Sequence, residues 1–163
     1  LIIDVCTLAG LYTLRLIAGS AATDAALSPW ILAFSMFLFL SLAAIKRQAE
    51  LADQLKAGGS GSAGRAYMVE DLPVMRDMSL SAGYAAILVF ALYINSDAVV
   101  DLYRRPEILW AICPLLLYWI SRIVMITHRG WMEDDPIVYA ARDRNSIVVV
   151  VLAALVILAA GPV

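Results

Sequence analysis

Residues 36–53 read MFLFLSLAAIKRQAELAD. The stretch opens as membrane-grade apolar sequence. With no Gly or Pro between, it turns into Lys46-Arg47-Gln48-Ala49-Glu50-Leu51-Ala52-Asp53. If the helix continues past residue 45, then Lys46, Glu50 and Asp53 fall at i, i+4 and i+7 on one face, with Arg47 and Gln54 on the adjoining face. A span that leaves lipid with two cations and two carboxylates is either a solvated helix end or a site for an anionic, metal-bearing headgroup. Paired carboxylates suit a hard cation such as Mg2+, which prefers oxygen ligands, water and substrate phosphates. Lys and Arg suit phosphate oxygens, Arg through its forked donors.

Around this stretch the chain is 63% hydrophobic and 16% charged, with a mean hydropathy of +0.83. Soluble domains are nearer half apolar and a quarter charged. A membrane-crossing helix needs roughly 17–25 mostly apolar residues. Runs of that kind lie at about 1–22, 29–45, 78–95, 107–127 and 146–162. The expected fold is therefore an all-α transmembrane bundle of five spans, one membrane domain over residues 1–163. YMVEDLPVMRDM, residues 67–78, reads as a short interfacial helix leading into the third span. Cys6 and Cys113 both lie in apolar runs and read as small buried hydrophobes. The chain begins with Leu1, already in membrane-type sequence, and reads as cut just before a helix.

Cations in short loops mark the cytoplasmic side. Lys46, Arg47, Lys56, Arg65 and Arg76 lie between the second and third runs, and Arg129, Arg142 and Arg144 between the fourth and fifth. The alternate loops hold only Arg104 and Arg105. This asymmetry places both charged loops inside and the end of the fifth span outside. The second charged loop, HRGWMEDDPIVYAARDRNS, offers Glu133, Asp134 and Asp135 as metal ligands, or Asp134 or Asp135 as the cap of a helix starting near Pro136. Arg142 and Arg144 read as a lipid-surface anchor or as a phosphate clamp facing Lys46 and Arg47. Asp4 sits at the inner end of the first span. Arg15 lies near mid-span, where insertion costs about 2.5–3.5 kcal/mol, so it needs a protein or water partner. Arg122, near the inner end of the fourth span, can snorkel. Phosphate-binding Gly-rich loops and hydrolase motifs are missing from the sequence, and nothing in it points to nucleic acid.

Several separated pieces together resemble the UbiA-type prenyltransferase superfamily, closest to decaprenyl-phosphate phosphoribosyltransferases and their bacterial relatives. They are Tyr12-x-x-Arg15-x-x-Ala18-Gly19, Leu27-Ser28-Pro29-Trp30, Lys46-Arg47-x-x-Glu50-Leu51 and Asp135-Pro136-Ile137-Val138-Tyr139-Ala140-Ala141-Arg142-Asp143-Arg144. The resemblance implies a bundle of about nine helices in the bacterial inner membrane, with a cavity open to cytoplasm and lipid. It implies Mg2+ as cofactor, phosphoribosyl pyrophosphate as donor and a polyprenyl phosphate as acceptor. By the same resemblance, Lys46 and Arg47 hold phosphate and Glu50 ligates metal or organises its waters, which makes these three the catalytic set. On residue chemistry alone, Asp53 and Asp135 join Glu50 as candidate metal ligands, and Arg142 and Arg144 join as candidate phosphate ligands. The five runs match the last five of nine helices, and the early N-D-x-x-D-x-x-x-D motif has no counterpart. By itself the chain is expected to have little or no activity. Three other readings stay open: a prenyl diphosphate donor, a non-catalytic membrane piece that needs a partner chain, and a small transporter-like bundle.

Overall fold

A computed structural model describes residues 1–23, 28–58, 67–132 and 135–161, with Ala98 described in its backbone alone. Arg65, Glu133 and Asp134 lie outside the described residues. The regular structure of the described residues is helical, with no strand among them. The elements are α1 (Ile3–Thr23), α2 (Pro29–Lys56), α3 (Leu72–Ile94), α4 (Asp97–Val100), α5 (Ile112–His128), α6 (Pro136–Arg142) and α7 (Arg144–Ala160). Two short 3-10 turns, Val69–Asp71 and Pro106–Ala111, lead into α3 and α5.

Local chemistry sets the helix starts. Ser28 caps α2, its Oγ accepting from the Trp30 amide at 3.2 Å, and Pro29 follows at the first position, where no N–H is needed. Asp135 caps α6 in the same way, accepting from Ile137 N at 3.0 Å ahead of Pro136. Of the two aspartates that suited this cap, Asp135 provides it. Gly161 ends α7 in the left-handed region at φ 69°, a conformation that Gly adopts without Cβ strain.

Among the described residues, four helical stretches are long and apolar enough to cross a membrane: Ile3–Thr23, Pro29–Lys56, Val69–Ile94 and Pro106–His128. A fifth crossing needs α6 and α7 taken together, and they meet at an 80° bend. The bend falls on Asp143, whose extended backbone (φ −76°, ψ 121°) ends one helix and caps the next. One boundary follows the sequence and one departs from it. α2 runs unbroken to Lys56, because nothing after Ile45 breaks a helix. No separate interfacial helix precedes the third span: from Leu72 the chain is already α3, since Pro73 stands in the first turn and removes no helical hydrogen bond.

α2 packs most extensively against α3, α1 lies on α2, and α5 covers both α2 and α3. The α2–α3 contact uses small residues. Ser41 Oγ donates to the Ser79 carbonyl at 2.7 Å, and both serines are buried. Gly83 faces Ile120 so closely that a Cβ there would lie 2.6 Å from Ile120 Cγ2 and 3.0 Å from Ser41 Oγ. Small residues at such crossings are the usual device in bilayers, where backbones gain by approaching. The far end is closed by Arg104 and Arg105, whose backbone amides each donate at 3.0 Å, to Gly161 and Ala160 carbonyls. Cys113 is buried, as expected; Cys6 is instead exposed on α1.

The α2–α3–α5 contact yields a prediction. Gly83→Ala should destabilise the detergent-solubilised chain by about 1–3 kcal/mol through overpacking. Thermal unfolding followed by circular dichroism measures it. Adding Ile120→Val should leave that cost unchanged, since valine keeps the clashing Cγ2, whereas Ile120→Ala, which removes it, should recover part of the loss.

Candidate functional site

The end of α2, the start of α1, residue 67 and the loop before α6 meet at one end of the bundle. At the centre is Arg47, whose side chain is 4% exposed. Its Nη2 lies 2.9 Å from Asp4 Oδ2 of α1, and its Nη1 donates to Glu50 Oε2 one turn along α2. Its guanidinium also lies over the Tyr67 ring, 5.6 Å from the centroid, within reach of a cation–π attraction. Tyr67 is 3% exposed. Its hydroxyl donates to Asp4 Oδ1 at 2.7 Å and accepts from the Ile2 amide at 2.7 Å. Burial pushes the Tyr67 phenol up from its usual value, and the bond to Asp4 pushes it further.

One residue back along the helix, Lys46 points elsewhere. Its Nζ lies 2.6 Å from Asp135 Oδ2, tying α2 to the final charged loop. At 36% exposure, Lys46 is the accessible cation of the site, and Arg47 is not. Lys46, Arg47 and Asp4 line an opening of about 310 Å3, together with Thr7, Leu8 and Leu11 of α1. A smaller recess beside Lys46 is bounded by Asp135, Pro136 and Ile137. The arrangement places one partly exposed cation, paired with Asp135, at the mouth of an opening walled in part by Leu8 and Leu11, beside a buried one whose Nη1 and Nη2 face protein carboxylates and whose Nε has no partner among the described residues.

The other expected residues sort as follows. Glu50 stands beside Arg47, and Asp53 is exposed, 3.6 Å from Lys56. Lys46, Glu50 and Asp53 thus turn to three different partners rather than to one shared cation. Among the described residues, no three His, Cys, Asp or Glu side chains are grouped to hold a metal. Arg142 ends α6 and Arg144 begins α7, both exposed, on either side of the bend. Arg15 is exposed on α1, over the Tyr12 ring at 5.3 Å.

Three contacts were not foreseen from the sequence. Tyr67 follows a Gly/Ser stretch with no periodicity to flag it. Gln48 is fully buried, and neither amide atom has a hydrogen-bond partner among the described residues. The third is Asp143. Arg122 forks onto it, Nη1 to Oδ2 at 2.6 Å and Nη2 to Oδ1 at 3.1 Å, so Arg122 pairs rather than snorkels. Asp143 Oδ2 also accepts from Ser146 N at 2.8 Å and Ser146 Oγ at 2.9 Å. Ser146 in turn accepts from Trp119 Nε1 at 3.0 Å. An arginine one helical turn or so inside a span end, 21 residues before the aspartate of an R-D-R triplet, was the available signal.

Asp143 therefore both caps α7 and neutralises Arg122. Asp143→Ala should lower unfolding stability by about 3 kcal/mol, the sum of a lost cap and a broken, partly buried pair. Arg144→Gln next to it should change stability by less than about 0.5 kcal/mol, as exposed substitutions do. Chemical denaturation in a fixed detergent compares the two.

No family model matches the chain, and no solved structure matches it. Over 154 residues it is 36% identical to nodulation protein NoeC of Azorhizobium caulinodans, covering 94% of this chain and 50% of that protein. Over 147 residues it is 33% identical to the uncharacterized protein y4nM of Sinorhizobium fredii, covering 89% of this chain and 28% of that one. The chain thus spans half or less of the length of these curated relatives, and neither designation names a reaction.

Proposed function

We propose that this chain forms part of a UbiA-type membrane transferase that moves phosphoribose from phosphoribosyl pyrophosphate to a polyprenyl phosphate. The reading puts the Lys46 end of the bundle at the cytoplasmic face of a bacterial inner membrane and the end of α7 outside. One observation carries it: a lysine stands at the mouth of an opening walled by Leu8 and Leu11, beside a buried arginine that cannot swing away. A phosphate headgroup with an apolar tail matches that pairing of charge and hydrocarbon. The resemblance of Lys46-Arg47-x-x-Glu50 to the family's second motif adds the substrate class.

The chemistry is substitution at an anomeric carbon. A lipid phosphate oxygen attacks ribose C1 as the bond from C1 to the pyrophosphate oxygen breaks on the opposite side. The carbon changes partners without a protein nucleophile. Lys46 Nζ, exchanging Asp135 for substrate oxygens, meets the charge that develops on the leaving pyrophosphate. Arg47 acts by holding the helix end and the local positive potential in place. Glu50 and Asp53 are hard oxygen donors one turn apart at the rim. Each would have to leave its own cation, Arg47 or Lys56, before the two could share an Mg2+ with phosphate and water. When bound, that ion would neutralise the pyrophosphate. Asp135, held by Lys46 and by the Ile137 amide, fits this role only after Lys46 has moved.

Donor binding to the purified chain with Mg2+ tests the proposal. Phosphoribosyl pyrophosphate should bind, and Lys46→Gln should weaken it about tenfold, the loss of one charge-assisted contact. Asp97→Asn at the far end should leave it unchanged. Preference for a prenyl diphosphate would favour the other donor class, and binding of neither donor would reject the transferase reading.

A further inference from the structure

A second opening lies on different helices. It runs between α3 and α5 and encloses about 470 Å3, lined by Arg76, Leu80, Tyr84, Ser121, Val124, Met125 and His128. Its chemistry is graded along its length. Arg76, Leu80 and Tyr84 are spaced by four on α3, one face over two turns, or about 12 Å. Ser121, Val124, Met125 and His128 repeat the face on α5, which runs the other way. Arg76 and His128 therefore meet at the charged end of the bundle. Leu80, Val124 and Met125 form the apolar middle. At the bottom Tyr84 Oη and Ser121 Oγ lie 2.9 Å apart in a hydrogen bond that uses one of their two hydroxyl protons.

A basic mouth over a hydrocarbon trench complements an anionic amphiphile lying parallel to the helices. Arg76 has Asp77 beside it, with Oδ1 3.1 Å from Nε and 3.0 Å from Nη2. Asp77 is 66% exposed, and an exposed pair of this kind contributes little and yields to a better acceptor. His128 is exposed and offers an imidazole N–H. Size decides between a lipid tail and a protein helix. A helix about 10 Å across and 12 Å long would fill roughly 900 Å3, nearly twice the space. We propose that the α3–α5 groove holds one anionic membrane lipid, its phosphate between Arg76 and His128 and one tail along Leu80, Val124 and Met125 as far as Tyr84. The assignment does not depend on the transferase reading, because it shares no residue with the Lys46 opening.

The test is lipid retention on the purified chain, read by native mass spectrometry after exchange into detergent with equal phosphatidylglycerol and phosphatidylcholine. The chain should keep one phosphatidylglycerol in preference to phosphatidylcholine. Arg76→Gln with His128→Gln should lower its occupancy about tenfold. Leu80→Trp, which fills the trench and keeps both headgroup contacts, should lower it as well. Arg104→Gln at the opposite end should not, and circular dichroism confirms folding of each variant. Equal retention of the two lipids, or undiminished phosphatidylglycerol on both the double variant and Leu80→Trp, would overturn the assignment.

Discussion

A guanidinium buried among hydrophobic helices is the constraint on which the rest of this structure turns. Removing such an ion from water costs several kcal/mol, so the fold must return that energy locally. Arg47 obtains it from Asp4 on α1, Glu50 on α2 and the face of Tyr67. The three partners come from separate parts of the chain. Satisfying one charge therefore fixes how α1 lies on α2 and where the chain re-enters after residue 66. Lys46, adjacent in sequence, is left to face the opening and Asp135.

The second half of the bundle repeats this logic. Arg122 is held by Asp143, and the same carboxylate caps α7. One residue thereby sets both the neutrality of α5's end and the 80° turn between α6 and α7. Between these two polar anchors the packing relies on close approach. Ser41, Ser79 and Gly83 let α2, α3 and α5 contact backbone to side chain. The apolar surface left outward on α1 and α7, such as Leu14, Val150 and Leu158, is what a bilayer would cover.

Much of this was legible in the residues. Apolar runs located the helices, and an aspartate before Pro136, Asp134 or Asp135, marked one start through ordinary cap chemistry. The unbroken sequence after Ile45 allowed α2 to carry its charges as one helix. Periodicity failed where a contact depends on tertiary geometry. It placed Lys46, Glu50 and Asp53 on one face, yet long side chains on a face can reach in different directions, and each found its own partner. It could not rank Lys46 against Arg47, because burial of one and exposure of the other come from α1 and Tyr67. Residues 67–78 read as a separate interfacial helix, yet α3 begins at Leu72, because a proline in the first turn costs a helix nothing. Asp143 looked like part of a basic anchor because its partner, Arg122, is distant in sequence.

The functional reading depends on the same pairing: a buried cation at the core of the helix end and a more exposed one at its rim. Its central claim is that Asp4 and Arg47 are energetically coupled across α1 and α2. A double-mutant cycle with Asp4→Asn and Arg47→Met, read as unfolding free energy in one detergent, tests this most directly. The account predicts a coupling of about 1.5–3 kcal/mol, with the double variant more stable than the sum of the single losses implies. Strict additivity of the two losses would contradict it.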